Sequence, residues 1–189
     1  MACLDLVAML RRDHRRWRAL GFVSSLALPG ACIGAGFIRN MVWEHQHGRQ
    51  SDCRDEDIDV LWYDPSRPDA SADREAELRL RALAPDFSWS VRNQARMHQR
   101  NGDAPYTSID DAMRAWPETA TAIAALRHGD DCEIRAPFGL DDLAGMILRP
   151  TSSEPRKLEA FQARVRAKRW LERWPHVRIA PAYDALTPP

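Results

Sequence analysis

Between Ala31 and Gly48 the chain passes from a short apolar stretch, Ala31-Cys32-Ile33, through Gly34-Ala35-Gly36 into Phe37 to His47, where Ile38, Met41, Val42 and His45 recur at helical spacing. That order predicts a strand, a glycine bend and a helix stopped by Gly48. A glycine bend lets backbone approach a bound group, and the helix after it points unpaired N–H groups the same way. Further on, Asp57-Ile58-Asp59-Val60-Leu61-Trp62-Tyr63-Asp64 reads as a strand ended by Pro65. Its first two aspartates stand at i and i+2, so they share one face about 6.6 Å apart, while Ile58 and Val60 turn to the core. Carboxylates so placed suit a pair of magnesium ions holding a triphosphate for in-line phosphoryl or nucleotidyl transfer. The bend and the acidic strand gain meaning together, as a phosphate cradle facing a cation site.

The rest of the pattern surrounds this unit with helices. Leu6, Leu10 and Trp17 predict an amphipathic N-terminal helix ending near Leu20-Gly21, within an N-terminal helical segment over 1–28. A helix is expected over Ser71 to Leu83, and Phe87 to Asn93 alternates as a half-buried strand. Ser108 can cap a helix reaching Ala115, Pro117 can open another running through Leu126, and Cys132 to Ala136 reads as a further strand. Glu154 to Trp174 is helical in pattern, but Leu158, Phe161 and Val165 lie opposite Ala163, Ala167, Trp170 and Trp174, so it must bend or pack on two partners. Residues 177–189 read as a flexible tail. The sum is one domain over 1–189, of α/β (α+β) class: a small mixed β-sheet flanked by helices, with helices at both ends.

Composition narrows the function. In 189 residues, 44% hydrophobic and 29% charged content describes a chain able to build a core. The 27 basic and 27 acidic residues cancel, which argues against a general polyanion binder. Their distribution is uneven: seven Lys/Arg against three Glu between Glu154 and His176, ten acids against three arginines between Asp52 and Glu77. No run approaches the about 20 apolar residues needed to cross a bilayer, and the Arg11 to Arg18 cluster follows the first apolar residues, the reverse of a signal peptide. A cytoplasmic protein with no membrane partner is expected. Cys3, Cys32, Cys53 and Cys132 form no CxxC pairs and read as reduced thiols. His45, His47 and Cys53 read as surface groups rather than a zinc site, and Trp43, Trp62 and Trp116 as packing residues.

The run Ile33-Gly34-Ala35-Gly36-Phe37-Ile38-Arg39-Asn40, followed by Asp57-Ile58-Asp59-Val60, resembles the glycine motif and DxD strand of the polymerase-beta-like nucleotidyltransferase superfamily. Trp89-Ser90-Val91-Arg92-Asn93-Gln94-Ala95-Arg96-Met97-His98, Trp116-Pro117-Glu118-Thr119 and Ala136-Pro137-Phe138-Gly139-Leu140-Asp141-Asp142-Leu143 resemble one bacterial branch of it. The resemblance implies a transferase of the EC 2.7.7 class that uses Mg2+, with Mn2+ as a substitute, to move a nucleoside monophosphate from a nucleoside triphosphate to a hydroxyl acceptor. The acceptor stays open, with overall neutrality disfavouring RNA. It also implies that Asp57 and Asp59 are catalytic metal ligands and that Gly34, Ala35 and Gly36 hold the nucleotide phosphates. Arg39 and Arg92 are the candidate cations for charge building on the α phosphorus.

Three departures accompany the resemblance. Ala35 stands where many members have glycine, and Asn40 where related tRNA nucleotidyltransferases have aspartate. The Phe87 to Asn93 strand lacks the third carboxylate that the superfamily usually adds, leaving Asp86 and Glu133 as candidates. Two other readings therefore stay open: a catalytically silent nucleotide-binding or interaction module, and a nucleic-acid-binding protein.

Overall fold

The computed structural model describes residues 4–50, 53 and 56–183. Two helices open it, α1 (Leu6–Arg12) and α2 (His14–Ser24). Asp5 caps the first by accepting from the Ala8 amide, and Asp13 caps the second by accepting from Arg16, so the one predicted helix is two and runs past Leu20-Gly21. Then come β1 (Cys32–Gly34), α3 (Gly36–Gln46), β2 (Asp57–Trp62), α4 (Ser71–Leu83), β3 (Ser88–Asn93), α5 (Met97–Asn101), α6 (Ile109–Arg114), β4 (Ala124–His128), β5 (Asp131–Arg135), α7 (Asp141–Ala144), β6 (Ile147–Leu148), α8 (Pro155–Ala167), α9 (Trp170–Arg173) and β7 (Arg178–Ile179).

Five strands form one mixed sheet in the order β3-β2-β1-β4-β5. β2 and β3 are parallel and joined through α4, and the other pairings are antiparallel. Alternation along β2 divides the molecule. Ile58, Val60 and Trp62 enter the larger core with Ile33, Phe37, Ile38, Val42 and Trp43, where α2, α3 and α4 pack. The opposite face carries Leu61 in a smaller core with Cys32, Ile109, Met113, Ala124 and Leu126. Asp57 and Asp59 belong to that second face by parity, at the end of β2 that the smaller core leaves uncovered.

Pro117 does not open a helix. Residues 119–121 make one 3-10 turn and Ala124–His128 is a strand, flanked by β1 on one side and β5 on the other. Alanine and leucine favour a helix locally, but β1 is only three residues long and needs a second neighbour, so tertiary pairing overrides propensity. The long C-terminal helix is broken at Arg169, whose φ of +49° is left-handed. Before the break, Phe161 and Val165 enter the core; after it, Trp170 and Trp174 do. The tail expected from 177 is instead held as far as Tyr183: Val177 is buried, β7 pairs with β6, and the Tyr183 amide donates to the Pro150 carbonyl at 2.7 Å. The last six residues of the expected tail, like Cys3, lie outside the described residues.

Candidate active site between the turn and helix α8

A cavity of about 520 Å³ opens where the end of β2 meets the turn between β1 and α3, and Ala35 and Asp59 both line it. Hydrogen bonding creates this meeting. β1 pairs antiparallel with β2 through Cys32 with Leu61 and Ile33 with Val60, and one step further along that register Gly34 faces Asp59. The turn fits no larger residue at 34, since a Cβ there would come within 3.0 Å of Leu61 Cδ1 and 3.2 Å of the Ile123 carbonyl. The strained residue is Ala35, not either glycine: its φ of +58° and ψ of −126° lie in a region that favours glycine. The Ala35 amide donates to the Ile123 carbonyl at 3.1 Å, so it is not free for a ligand. No side chain caps α3, and its first N–H groups, from Gly36 onward, are left to donate to an anion.

Asp59 is half-buried, and its carboxyl is raised above the usual range, first by burial and then by the neighbouring charge of Asp57. Arg164, Arg92 and Lys168 pull in the opposite direction. Asp57 is exposed, accepts from Ser88 Oγ at 2.8 Å, and lies outside the cavity lining, so only one of the paired aspartates faces the turn across the cavity. Arg92 lines the cavity while its Nη1 donates to Glu77 Oε2 at 3.3 Å and to its neighbour's carbonyl, Val91 O, at 2.5 Å.

Arg39 requires a correction. The structure puts it behind the turn, not in the cavity: it is buried, donates to Asn40 Oδ1 and Thr121 Oγ1, and lies 4.5 Å from the centre of the Trp170 ring. Burial lowers its pKa to about 10, with Glu118 opposing. Helical geometry accounts for this, because Arg39 follows the turn by one helical turn and its face of α3 is covered by α9. Asn40 has its own physical reason. Its Nδ2 donates to Glu56 Oε1 at 2.6 Å while its Oδ1 accepts from Arg39, an orientation those two partners dictate. An aspartate there would set two carboxylates together.

Neither candidate third carboxylate reaches the site. Asp86 precedes β3 and pairs with Arg15 at 2.9 Å, and Glu133 sits on the outermost strand beside Arg135 at 3.6 Å. Among the described residues no three His, Cys, Asp or Glu side chains are grouped to hold a metal. The cavity instead holds two acids to which the sequence reading gave no role. Glu118, fully buried, accepts from Arg164 Nη2 at 3.0 Å and from its Nε at 3.2 and 3.3 Å. Asp103 pairs with Arg156 at 2.9 Å and Lys157 at 3.3 Å. The cation run of 154–176 was visible as a charge count, but its partners lie on distant segments. Trp116 also lines the cavity, its ring edge 3.3 Å from where a Gly34 Cβ would stand, whereas Trp43 and Trp62 are core residues.

The comparisons agree with this geometry. Residues 21–179 match a protein-family model described as nucleotidyltransferase. Among solved structures, one whose NMR structure reveals a CCA-adding enzyme head domain matches with a TM-score of 0.82 at 28% identity, over 94% of this chain and 95% of that one. A tRNA-processing enzyme in an apo form matches in fold alone, at 16% identity and a TM-score of 0.54, over 85% of this chain and 44% of its own. Among curated proteins there is no match. With a mixed sheet of this order, a strand-turn-helix unit open on an acidic strand, and a family match across most of its length, the chain belongs to the nucleotidyltransferase family and is a transferase of the class that moves nucleoside monophosphates.

Proposed function

We propose that the protein transfers a nucleoside monophosphate from a nucleoside triphosphate to a hydroxyl acceptor in a magnesium-dependent reaction at this cavity. The observation that carries the proposal is that Asp59 and the Ala35 turn line one cavity. The donor set fits magnesium, which is commonly bound through one or two carboxylates plus substrate phosphate oxygens rather than by an all-protein cage. Asp59 would hold it from the cavity wall, with Asp57 two residues away on the same face of β2 as its second carboxylate, and when bound it would supply neutralisation of the triphosphate's charge. The chain's own residues do the rest. The first N–H groups of α3 bind phosphate oxygens, the burial of Asp59 excludes water from one side, and Arg92 and Arg164 offset negative charge as the α phosphorus becomes five-coordinate. The acceptor oxygen bonds to that phosphorus, the bond to the bridging oxygen breaks, pyrophosphate leaves, and the hydroxyl proton passes to solvent.

The likeness to a CCA-adding enzyme head domain makes an RNA end one acceptor worth testing. Isothermal titration with ATP, CTP, GTP and UTP, with and without magnesium, tests the nucleotide half of the proposal. Metal-dependent binding that disappears in Asp57→Ala plus Asp59→Ala is the expected result. Equal binding by wild type and double variant would overturn it. Release of pyrophosphate on adding an acceptor then measures turnover.

A further inference from the structure

The cavity holds a second charge cluster besides Asp59 and the turn. Asp103, 11% exposed, follows α5 and accepts from the Tyr106 hydroxyl at 2.5 Å, Arg156 Nη2 at 2.9 Å and Lys157 Nζ at 3.3 Å. Burial pushes its carboxyl up, but these donors outweigh burial and hold it below its ordinary value. Tyr106 is fixed in turn by Asn101 Nδ2 at 3.0 Å, and Arg156 also reaches the Asn101 carbonyl. Arg156 and Lys157 occupy the first turn of α8, which opens on Pro155 with no side-chain cap, so the positive helix end adds to their charge. Arg100, on α5, lines the same cavity, is exposed, and has no hydrogen-bond or ion-pair partner among the described residues. Two cations thus pair with one carboxylate before any ligand arrives, and a third, Arg100, lines the same cavity without a partner among the described residues.

This cluster stands apart from the nucleotide end. Lys157 precedes Arg164 by seven residues, about 10 Å along a helix, and Arg164 is the cation that pairs with Glu118 and acts on Asp59. Three phosphoryl groups joined by two bridging oxygens are shorter than that spacing along the helix. We propose that Arg100, Arg156 and Lys157 form a phosphate subsite for the acceptor, so that the compound receiving the nucleotide carries a phosphate ester held there while its hydroxyl points toward Asp59. The inference rests on the transferase proposal above. Such an ester is found in a small molecule or at the end of a nucleic-acid strand, and both present the same group to the same three side chains.

Calorimetry with magnesium and a saturating non-hydrolysable ATP analogue, titrating either glycerol 3-phosphate or a triribonucleotide with a free 3′ hydroxyl, tests this. At least one probe binds the wild type, and Arg100→Glu and Lys157→Gln each weaken it by roughly tenfold. Affinity for the ATP analogue itself stays within about twofold. A response to glycerol 3-phosphate identifies a small ester, and a response to the triribonucleotide alone identifies a strand end. Arg100 has no partner to lose, so its variant keeps the wild-type unfolding midpoint. The proposal is overturned if neither probe binds, if the variants bind as the wild type does, or if they lose the ATP analogue as strongly as the probe. Failure of the transferase proposal looks different: there the ATP analogue binds the Asp57→Ala plus Asp59→Ala protein as well as the wild type.

Discussion

On one wall of the cavity Ala35 and Asp59 are brought together by the pairing of β1 with β2, adjacent strands of one sheet. On the other wall Arg164 is held by Glu118, 46 residues away in sequence, and Arg156 by Asp103, 53 residues away. The sheet wall is made of backbone geometry, with a strained alanine and a carboxylate whose burial disfavours its charge. The helix wall is made of charge pairs, each cation oriented by an acid. The difference teaches that the sheet wall tolerates neutral isosteres without loss of fold, whereas the helix wall depends on keeping both members of each pair.

The largest expected effect separates function from stability on the sheet wall. Asp59→Asn lowers turnover by a factor on the order of 10² to 10³, the usual range for removing one oriented electrostatic group, while thermal unfolding occurs at the same temperature or higher. A marked loss of stability would break the comparison. On the helix wall Glu118→Gln does the opposite. It leaves the Arg164 and Arg39 charges without their buried acid and costs about 3 kcal/mol by urea unfolding. Adding Arg164→Gln to it recovers part of that loss, and simple additivity of the two would show that the pair is not coupled.

A smaller change sharpens the contrast. Ala35→Gly removes the penalty for an L side chain at φ +58° and stabilises the fold by about 1 kcal/mol, while Ala35→Val destabilises it. The smallest effect is read from a pH series. Asp103 titrates below its unfolded value, so its contribution is present above about pH 4 and is lost as pH falls through the folded pKa. Asp103→Asn lacks that contribution, so between pH 5 and pH 3, a range of about two units around the unfolded pKa, its unfolding free energy falls less steeply than that of the wild type.

How far the sequence could be read follows the same division. The strand, bend and helix around Gly34 to Gly36, and the alternation of Asp57 to Val60, are local patterns of period two and 3.6, and the structure has them where those periods put them. Ala35 was marked as unusual, but that it alone would take the positive φ was hidden, because two glycines beside it offered an easier place. β4 was read as helix because β1, the strand that encloses it on its inner side, lies far away in sequence, with Ile33 opposite Ala125. Glu118 and Asp103, though they stand in runs that resemble the family, were given no role for the same reason: the cations they orient lie 46 and 53 residues away. Arg39 shows the converse, a motif residue whose neighbourhood suggested a ligand contact but whose helix face is roofed by aromatic rings.

The hydrogen bond between Asn40 and Glu56 limits how parts of this protein can be exchanged with those of its relatives. A turn transplanted from a tRNA nucleotidyltransferase would bring an acid to position 40 and press it against one already enclosed by Arg16 and Arg173. A working chimera has to import residue 56 along with the turn, because the two positions are coupled by this bond although 16 residues separate them.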